Sequence, residues 1–204
     1  DDLLDEKLRY AFDERLGYLT QCPTNLGTGL RASVMVHLPV LTDQRAIGSL
    51  TAALSKLGMT VRGIYGEGSE ARGKMYQISN QVTLGLSEQE AVESLKTVVA
   101  QVMEQEAQAR EKVFAASPAA FDRVCRALGT LQYARLLSGE EFMELVSDVR
   151  MGLCAGALEG MTPGDVDQLI AQAQPATILH RLGRNLSAQE RDRERADFVR
   201  AAVR

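Results

Sequence analysis

The run CPTNLGTGLRASVMVH, Cys22 to His37, decides how the chain is read. It opens as a loop, with glycines at 27 and 29 among small polar side chains, and passes directly into the apolar stretch Ala32 to His37, which has the length and alternation of a strand. Backbone N–H groups in such a loop can approach phosphate oxygens, and Arg31 adds a permanent charge with a forked set of donors. It is not a P-loop. The lysine of that motif is missing and a strand follows instead of a helix, so a helix dipole does not serve an anion here. On spacing alone, a glycine-rich turn with one surface arginine explains the run equally well.

On both sides of this run, from Gly17 to about Gly85, short apolar stretches alternate with glycine-bearing turns, which predicts sheet. The expected strands are Tyr18 to Thr20, Ala32 to His37, Thr60 to Ile64, Met75 to Ser79 and Val82 to Leu84. One helix is expected among them, about Asp43 to Leu57, with Ile47, Leu50, Leu54 and Leu57 on one face and Gly58 closing it. Leu4, Leu8 and Phe12, with Gly17 as the stop, predict a helix already in progress at the first residue, and hence a fragment. After Gly85 the pattern turns helical. Ser87 with Glu90 has capping-box spacing ahead of a segment running to about Phe114; Ser138 with Glu141 and Ser187 with Glu190 repeat it. Ser117-Pro118 and Thr162-Pro163 put a cap residue before a first-turn proline, so roughly four further helices are expected. The fold class is therefore α+β: an antiparallel sheet with helices over residues 1–114, then an all-α domain over 115–204.

Composition sets limits. The 204 residues are 45% hydrophobic and 25% charged, as in a soluble globular protein, and a net charge of -4 gives a nucleic-acid partner no support. No stretch has the length of a membrane span, and the opening DDLLDEKLRY is not a signal peptide. Cys22, Cys125 and Cys154 lack CxxC spacing, which argues against a disulfide framework or structural zinc and for a reducing, cytoplasmic setting. Cys125 and Cys154 fall in apolar helical patterns and are expected to be buried. His37 and His180 are isolated and make no metal site.

A second chemical stretch is VRGIYGEGSEA, Val61 to Ala71, where a strand ends at an arginine and a loop bears carboxylates. Arg31 and Arg62 both stand at strand and loop junctions, from which a sheet can aim them at one anion. Taken by itself, Glu67 is a solvated loop residue.

CPTNLGTGLRASV followed by Leu38-Pro39, then VRG with a glutamate four residues after its glycine, then ISNQVTLG from Ile78, together resemble the second half of the phosphagen (guanido) kinase catalytic domain, over about residues 1 to 112. RASVM at 31–35, RGIYGEGSEA at 62–71 and QISNQ at 77–81 are most similar to the bacterial protein-arginine kinases of that family. The resemblance implies a guanido kinase or glutamine synthetase-like sheet flanked by helices, ATP bound with Mg²⁺, and transfer of the γ-phosphoryl group to a guanidino nitrogen of arginine side chains in proteins. It implies ATP contacts from Arg31, Ala32, Ser33, Val34 and Met35 and from Arg62, Gly63, Ile64, Tyr65, Gly66 and Glu67. Glu67 corresponds to a carboxylate orienting the acceptor guanidinium, and Cys22 to the family's active-site cysteine. The family's other catalytic glutamate, in an NEEDH-type motif, and its SxRxR arginines do not occur in this sequence. This polypeptide alone is expected to transfer phosphate negligibly.

In the helical part, RDRERA, Arg191 to Ala196, matches the RDxxRA motif of the protein-arginine kinases, and the resemblance implies a regulatory phosphoarginine site at Arg191, Asp192, Arg195 and Ala196. Arg191 and Arg195 stand one turn apart, where they can share a phosphate while Asp192 accepts from a guanidinium. Charge pattern alone favours a solvated helix with exposed intrahelical pairs. Phe121, Val124 and Leu128, and Phe142, Leu145 and Val149, read as core stripes, one of which can serve a homodimer. The rival readings are a catalytically silent module that binds phosphoarginine and oligomerises, and a kinase for a small guanidine such as free arginine.

Overall fold

The computed structural model describes residues 2–63 and 71–203. It opens with a single helical turn, α1 (Asp2–Asp5), and a small hairpin of β1 (Phe12–Asp13) and β2 (Gly17–Tyr18), where a longer helix was expected. The apolar residues of that expected stripe find no core: Leu4, Leu8 and Phe12 are all more than half exposed. Local polar bonding wins instead. Asp13 Oδ1 accepts from the N–H of Arg15 and Leu16, and Gly17 at φ 70° completes the turn, which returns Tyr18 against Phe12.

The main sheet has three antiparallel strands in the order β3 (Ser33–His37), β5 (Met75–Asn80), β4 (Met59–Gly63). Ser33 pairs with Ser79 and Met35 with Gln77 on one side of β5; Thr60 pairs with Ser79 and Arg62 with Gln77 on the other. The predicted strand Val82 to Leu84 does not form, because that segment is spent on holding a loop. The predicted helix from Asp43 divides into α2 (Pro39–Asp43) and α3 (Ile47–Lys56), separated at Arg45 with φ 57°, a left-handed residue that interrupts the helical run. Leu54 is buried, but Leu57 at the end of the predicted stripe is 58% exposed.

α4 (Glu88–Ala116) starts at the predicted Ser87–Glu90 capping box, with both reciprocal bonds formed. It lays Leu95, Val98, Val99 and Val102 on the sheet face that carries Val36, Tyr76 and Ile78, and this is the core of the first part. Beyond it come α5 (Pro118–Tyr133), α6 (Gly139–Cys154), α7 (Pro163–Gln172), α8 (Pro175–Leu182) and α9 (Ala188–Ala202), which enclose a separate core around Leu131, Phe142, Val146, Val166 and Val199. α8 was not expected. Its leading residue, Gln174, makes no side-chain capping bond, so only Pro175 and Gly183 announce it. Cys125 and Cys154 are exposed, not buried: each lies on its helix beside the residues that do enter the core, Val124 and Met151.

The two cores are joined closely. Val40 of α2, Val124 of α5 and Met151 of α6 form a third apolar cluster with Val113 and Phe114 at the end of α4. Next to it, Arg123 donates from Nε and Nη2 to both oxygens of Asp148 at 2.8 and 2.7 Å, and from Nη1 to Asp43 at 2.7 Å. Lys74, buried at φ 56°, places its ammonium 3.0 Å from Asp43 and 3.8 Å from Asp148. His37 at the end of β3 shares a 2.7 Å hydrogen bond with Ser147 of α6. Its pKa is lowered to about 3, chiefly by burial and further by the charges of Arg150, Lys74 and Arg110, so the ring is neutral at physiological pH.

Candidate functional site

Alternation along a strand gives each sheet face its own chemistry. With Val36, Tyr76, Ile78 and Met59 turned to the core, Ser33, Met35, Thr60, Arg62, Gln77 and Ser79 occupy the opposite face. That face is cross-linked. Gln77 Nε2 donates to Ser33 Oγ at 2.8 Å, and Arg31, two residues ahead of Ser33, reaches Ser79 Oγ from Nη2 at 3.4 Å. Arg62 stands directly across β4 and β5 from Gln77. The sheet thus brings Arg31 and Arg62 to one polar surface from opposite sides of the central strand. Ala32 packs against the core cluster and Val34 alternates to the same side, so of the run Arg31 to Met35 it is Arg31, Ser33 and Met35 that share the polar face. Ile64, Tyr65, Gly66 and Glu67 lie outside the described residues.

The glycine loop ahead of β3 is held by side chains that sequence reading left without a role. Asn80, the last residue of β5, accepts the N–H of Ala32 at 2.8 Å and donates to Leu30 O at 3.0 Å. Thr83 Oγ1 lies within bonding distance of Thr24 O (3.0 Å) and Leu26 O (2.6 Å), and Thr83 O accepts from Thr28 N. Gly27, at φ 95°, must remain glycine for this contact: a Cβ there would sit 2.1 Å from Thr83 O. The stretch ISNQVTLG carried the signal. What it does is anchor the loop that bears Arg31.

Cys22 is exposed at the start of the short 3-10 turn Pro23–Asn25, its Sγ 3.0 Å from Thr24 Oγ1. The thiol pKa is lowered, first by the Thr24 side chain and then by the Thr24 backbone; this local pairing, not a neighbouring arginine, favours the thiolate. Site-resolved alkylation of the exposed Cys22 with iodoacetamide as a function of pH is expected to give an apparent pKa below that of an ordinary free thiol. Thr24→Ala should move the Cys22 profile to higher pH. A Cys22 profile unchanged by Thr24→Ala would contradict the geometry.

On α9 the four motif residues do different things. Arg195 is 2% exposed, so this helix is not the solvated one with exposed pairs that charge pattern alone favours. Its Nε donates to Ala173 O at 3.0 Å, and Nη1 to Leu137 O at 2.7 Å and Asp192 Oδ1 at 2.8 Å. Arg191 Nη1 donates to Leu186 O at 3.1 Å, and Ala196 is buried. The two arginines therefore do not present parallel side chains to solvent.

A family model described as ATP:guanido phosphotransferase, C-terminal catalytic domain, matches residues 1–109. The chain belongs to the ATP:guanido phosphotransferase family. A second model, described as the protein-arginine kinase McsB C-terminal domain, matches residues 118–204. The protein-arginine kinase of Clostridium kluyveri is 51% identical over 201 residues, covering 98% of this chain and 58% of that protein. The protein-arginine kinase of Bacillus subtilis is 48% identical, with 98% and 55% covered. This guanido phosphotransferase chain thus spans somewhat over half the length of the curated relatives it matches. Among solved structures, a lombricine kinase is 41% identical over 47% of the chain and 25% of its own, with a TM-score of 0.42. In family terms, the motif from Cys22 to Met35 and the ISNQ motif form one hydrogen-bonded unit, and VRG joins it as the neighbouring strand, with Val61 opposite Ile78 and Arg62 opposite Gln77.

Proposed function

We propose that the chain is part of a protein-arginine kinase, with residues 1–114 contributing one side of the catalytic centre and residues 115–204 a regulatory helical domain that recognises phosphoarginine. The observation that carries the catalytic reading is the shared polar face: Arg31 and Arg62 flank Gln77 and Ser79 there, in the region matched to the guanido phosphotransferases. Phosphoryl transfer asks little covalent work of a protein, so holding the phosphates and neutralising their charge dominate. Two guanidiniums aimed from a rigid sheet do both. An arginine nitrogen of the protein substrate attacks the γ-phosphorus, the bond to the oxygen bridging to the β-phosphate breaks, and ADP leaves with that electron pair. Glu67 aligns the acceptor guanidinium and takes the proton it loses, and the Cys22 thiolate holds the cation electrostatically. Mg²⁺ delivered with ATP would supply charge neutralisation at the phosphates; no protein ligand is assigned to it.

The regulatory reading is supported by the second matched model and by the buried guanidinium of Arg195. Exposed Phe121, Tyr133 and Leu136 on and after α5 suit a homodimer through this part. Among the described residues, no helix is long and apolar enough to cross a membrane, and ATP use suits the cytoplasm.

The deciding experiment incubates this chain, and a version extended upstream to the length of its relatives, with MgATP and an unfolded arginine-rich protein, followed by phosphoarginine mass spectrometry. Modification only by the longer version is expected. Modification by neither would leave the phosphoarginine-binding module as the function; modification by the 204-residue chain would mean that Arg31, Arg62 and Glu67 suffice.

A further inference from the structure

The connection from β5 to α4, residues 81–87, has no regular structure of its own and is tied down at both ends. Gln81 N donates to Gly58 O at 2.8 Å, just ahead of β4, and Ser87 closes the capping box of α4. Between these anchors the chain grips the loop ahead of β3 at two separate points. Asn80, buried at the end of β5, brackets Arg31: its Oδ1 accepts from Ala32 N at 2.8 Å and its Nδ2 donates to Leu30 O at 3.0 Å. One carboxamide thus holds the peptide group on each side of Arg31, while the residue before it, Ser79, takes a guanidinium nitrogen at 3.4 Å. The second Nδ2 hydrogen goes to Val82 O at 3.2 Å, which ties Asn80 to the connection itself. Thr83, also buried, holds the other end of the loop. Its Oγ1 is 3.0 Å from Thr24 O and 2.6 Å from Leu26 O, and its carbonyl accepts from Thr28 N at 3.1 Å. Thr24 in turn is the residue whose hydroxyl stands 3.0 Å from Cys22 Sγ. At this burial an apolar side chain at either position would leave backbone groups of the loop without a partner.

We propose that Asn80 and Thr83 are positioning residues with separate tasks: Asn80 sets Arg31 for the nucleotide, Thr83 sets Cys22 and the turn Pro23–Asn25 for the acceptor, and the short piece of chain between them fixes the spacing of the two. The inference rests on the kinase reading of the sheet. In-line transfer depends on how the two reactants stand relative to each other, and a template that touches both sides of the site controls that distance without touching either reactant. Neither residue reaches the polar face as a ligand. Each acts through the backbone of the loop, Asn80 at residues 30 and 32 and Thr83 at residues 24, 26 and 28.

The two tasks separate experimentally. In the 204-residue chain, Thr83→Val removes the hydroxyl at nearly constant shape and should move the pH profile of Cys22 alkylation to higher pH, whereas Asn80→Ala should leave it in place; Thr83→Ser, which keeps the hydroxyl, should restore the wild-type profile. In the version extended upstream, given MgATP and an arginine-rich protein, Asn80→Ala should raise the KM for ATP and lower kcat about tenfold or more. It should add little to the loss caused by Arg31→Ala, because it acts through Arg31. Thr83→Val should instead raise the KM for the protein and leave the KM for ATP unchanged, a split that general loosening of the fold would not give. Should Asn80→Ala not fold by circular dichroism, Asn80→Asp, which keeps the acceptor for Ala32 N, takes its place. A Cys22 profile untouched by Thr83→Val, equal shifts from both variants, or losses from Asn80→Ala and Arg31→Ala that multiply would each overturn the inference and leave the kinase reading standing. Failure of the wild-type extended version to modify the protein would overturn the kinase reading, and with it the tasks assigned to the two residues.

Discussion

If the proposed function holds, Arg62→Ala in the chain extended upstream to the length of its relatives is expected to slow phosphoryl transfer to an arginine-rich protein about a thousandfold, on the scale at which phosphate-contacting arginines contribute. The argument starts from register. Arg62 stands opposite Gln77 of the central strand, and Gln77 is fixed in turn to Ser33, so the backbone that carries Arg62 belongs to a cross-linked surface. Such preorganisation costs no rearrangement when charge shifts from the γ-phosphoryl group to the leaving oxygen. Arg62→Lys is expected to recover only part of the rate, since an ammonium supplies the charge without the planar fork. The measurement is kcat and the KM for ATP, with circular dichroism as a check on the fold. A fall in kcat of less than tenfold in a folded Arg62→Ala enzyme would remove Arg62 from the phosphate machinery and with it the proposed use of the polar face.

Much of this arrangement was legible because it is local. The strands around Val36, Val61 and Ile78 show in apolar stretches broken by glycine, and the caps at Ser87, Ser117, Ser138, Thr162 and Ser187 show as one or two residues at fixed spacing; all five side chains accept the expected first-turn N–H. Partnerships across the chain have no such spacing. Asn80 and Thr83 read as the end of one strand and part of another, yet their bonds run to residues 48 to 59 positions away. Arg195 looked like half of a solvated helical pair because nothing in RDRERA reveals that carbonyls of Ala173 and Leu137 wait beside it. The hairpin at Phe12 to Tyr18 was misread for the opposite reason. A helical apolar period was present there, but no core was available to reward it, and the Asp13 turn prevailed.

Glu106→Ala is expected to cost about 3 kcal/mol of unfolding free energy, because it strands the buried backbone donors of Val40 and Leu41 that the carboxylate satisfies. α2 starts at Pro39 without a side-chain cap of its own, and its first N–H groups are met from 66 and 65 residues away: Glu106 Oε1 accepts from Val40 and Oε2 from Leu41, each at 3.0 Å. A carboxylate at a helix N-terminus also faces the positive end of the helix dipole. Glu106→Gln keeps one acceptor oxygen and should lose about half as much. Urea denaturation of the 204-residue chain measures both, and a Glu106→Ala loss under 1 kcal/mol would show that water replaces the carboxylate. The effect is expected to spread beyond α2. This helix supplies Val40 to the apolar cluster with Val124 and Met151, and Asp43 to the ion cluster with Lys74, Arg123 and Asp148. Loosening it therefore weakens the seam between sheet and helical part at its centre. Hydrogen exchange in Glu106→Ala should accelerate at α2 and at the turn Arg72–Lys74 before it does at Val166 or Val199, which lie in the separate helical core.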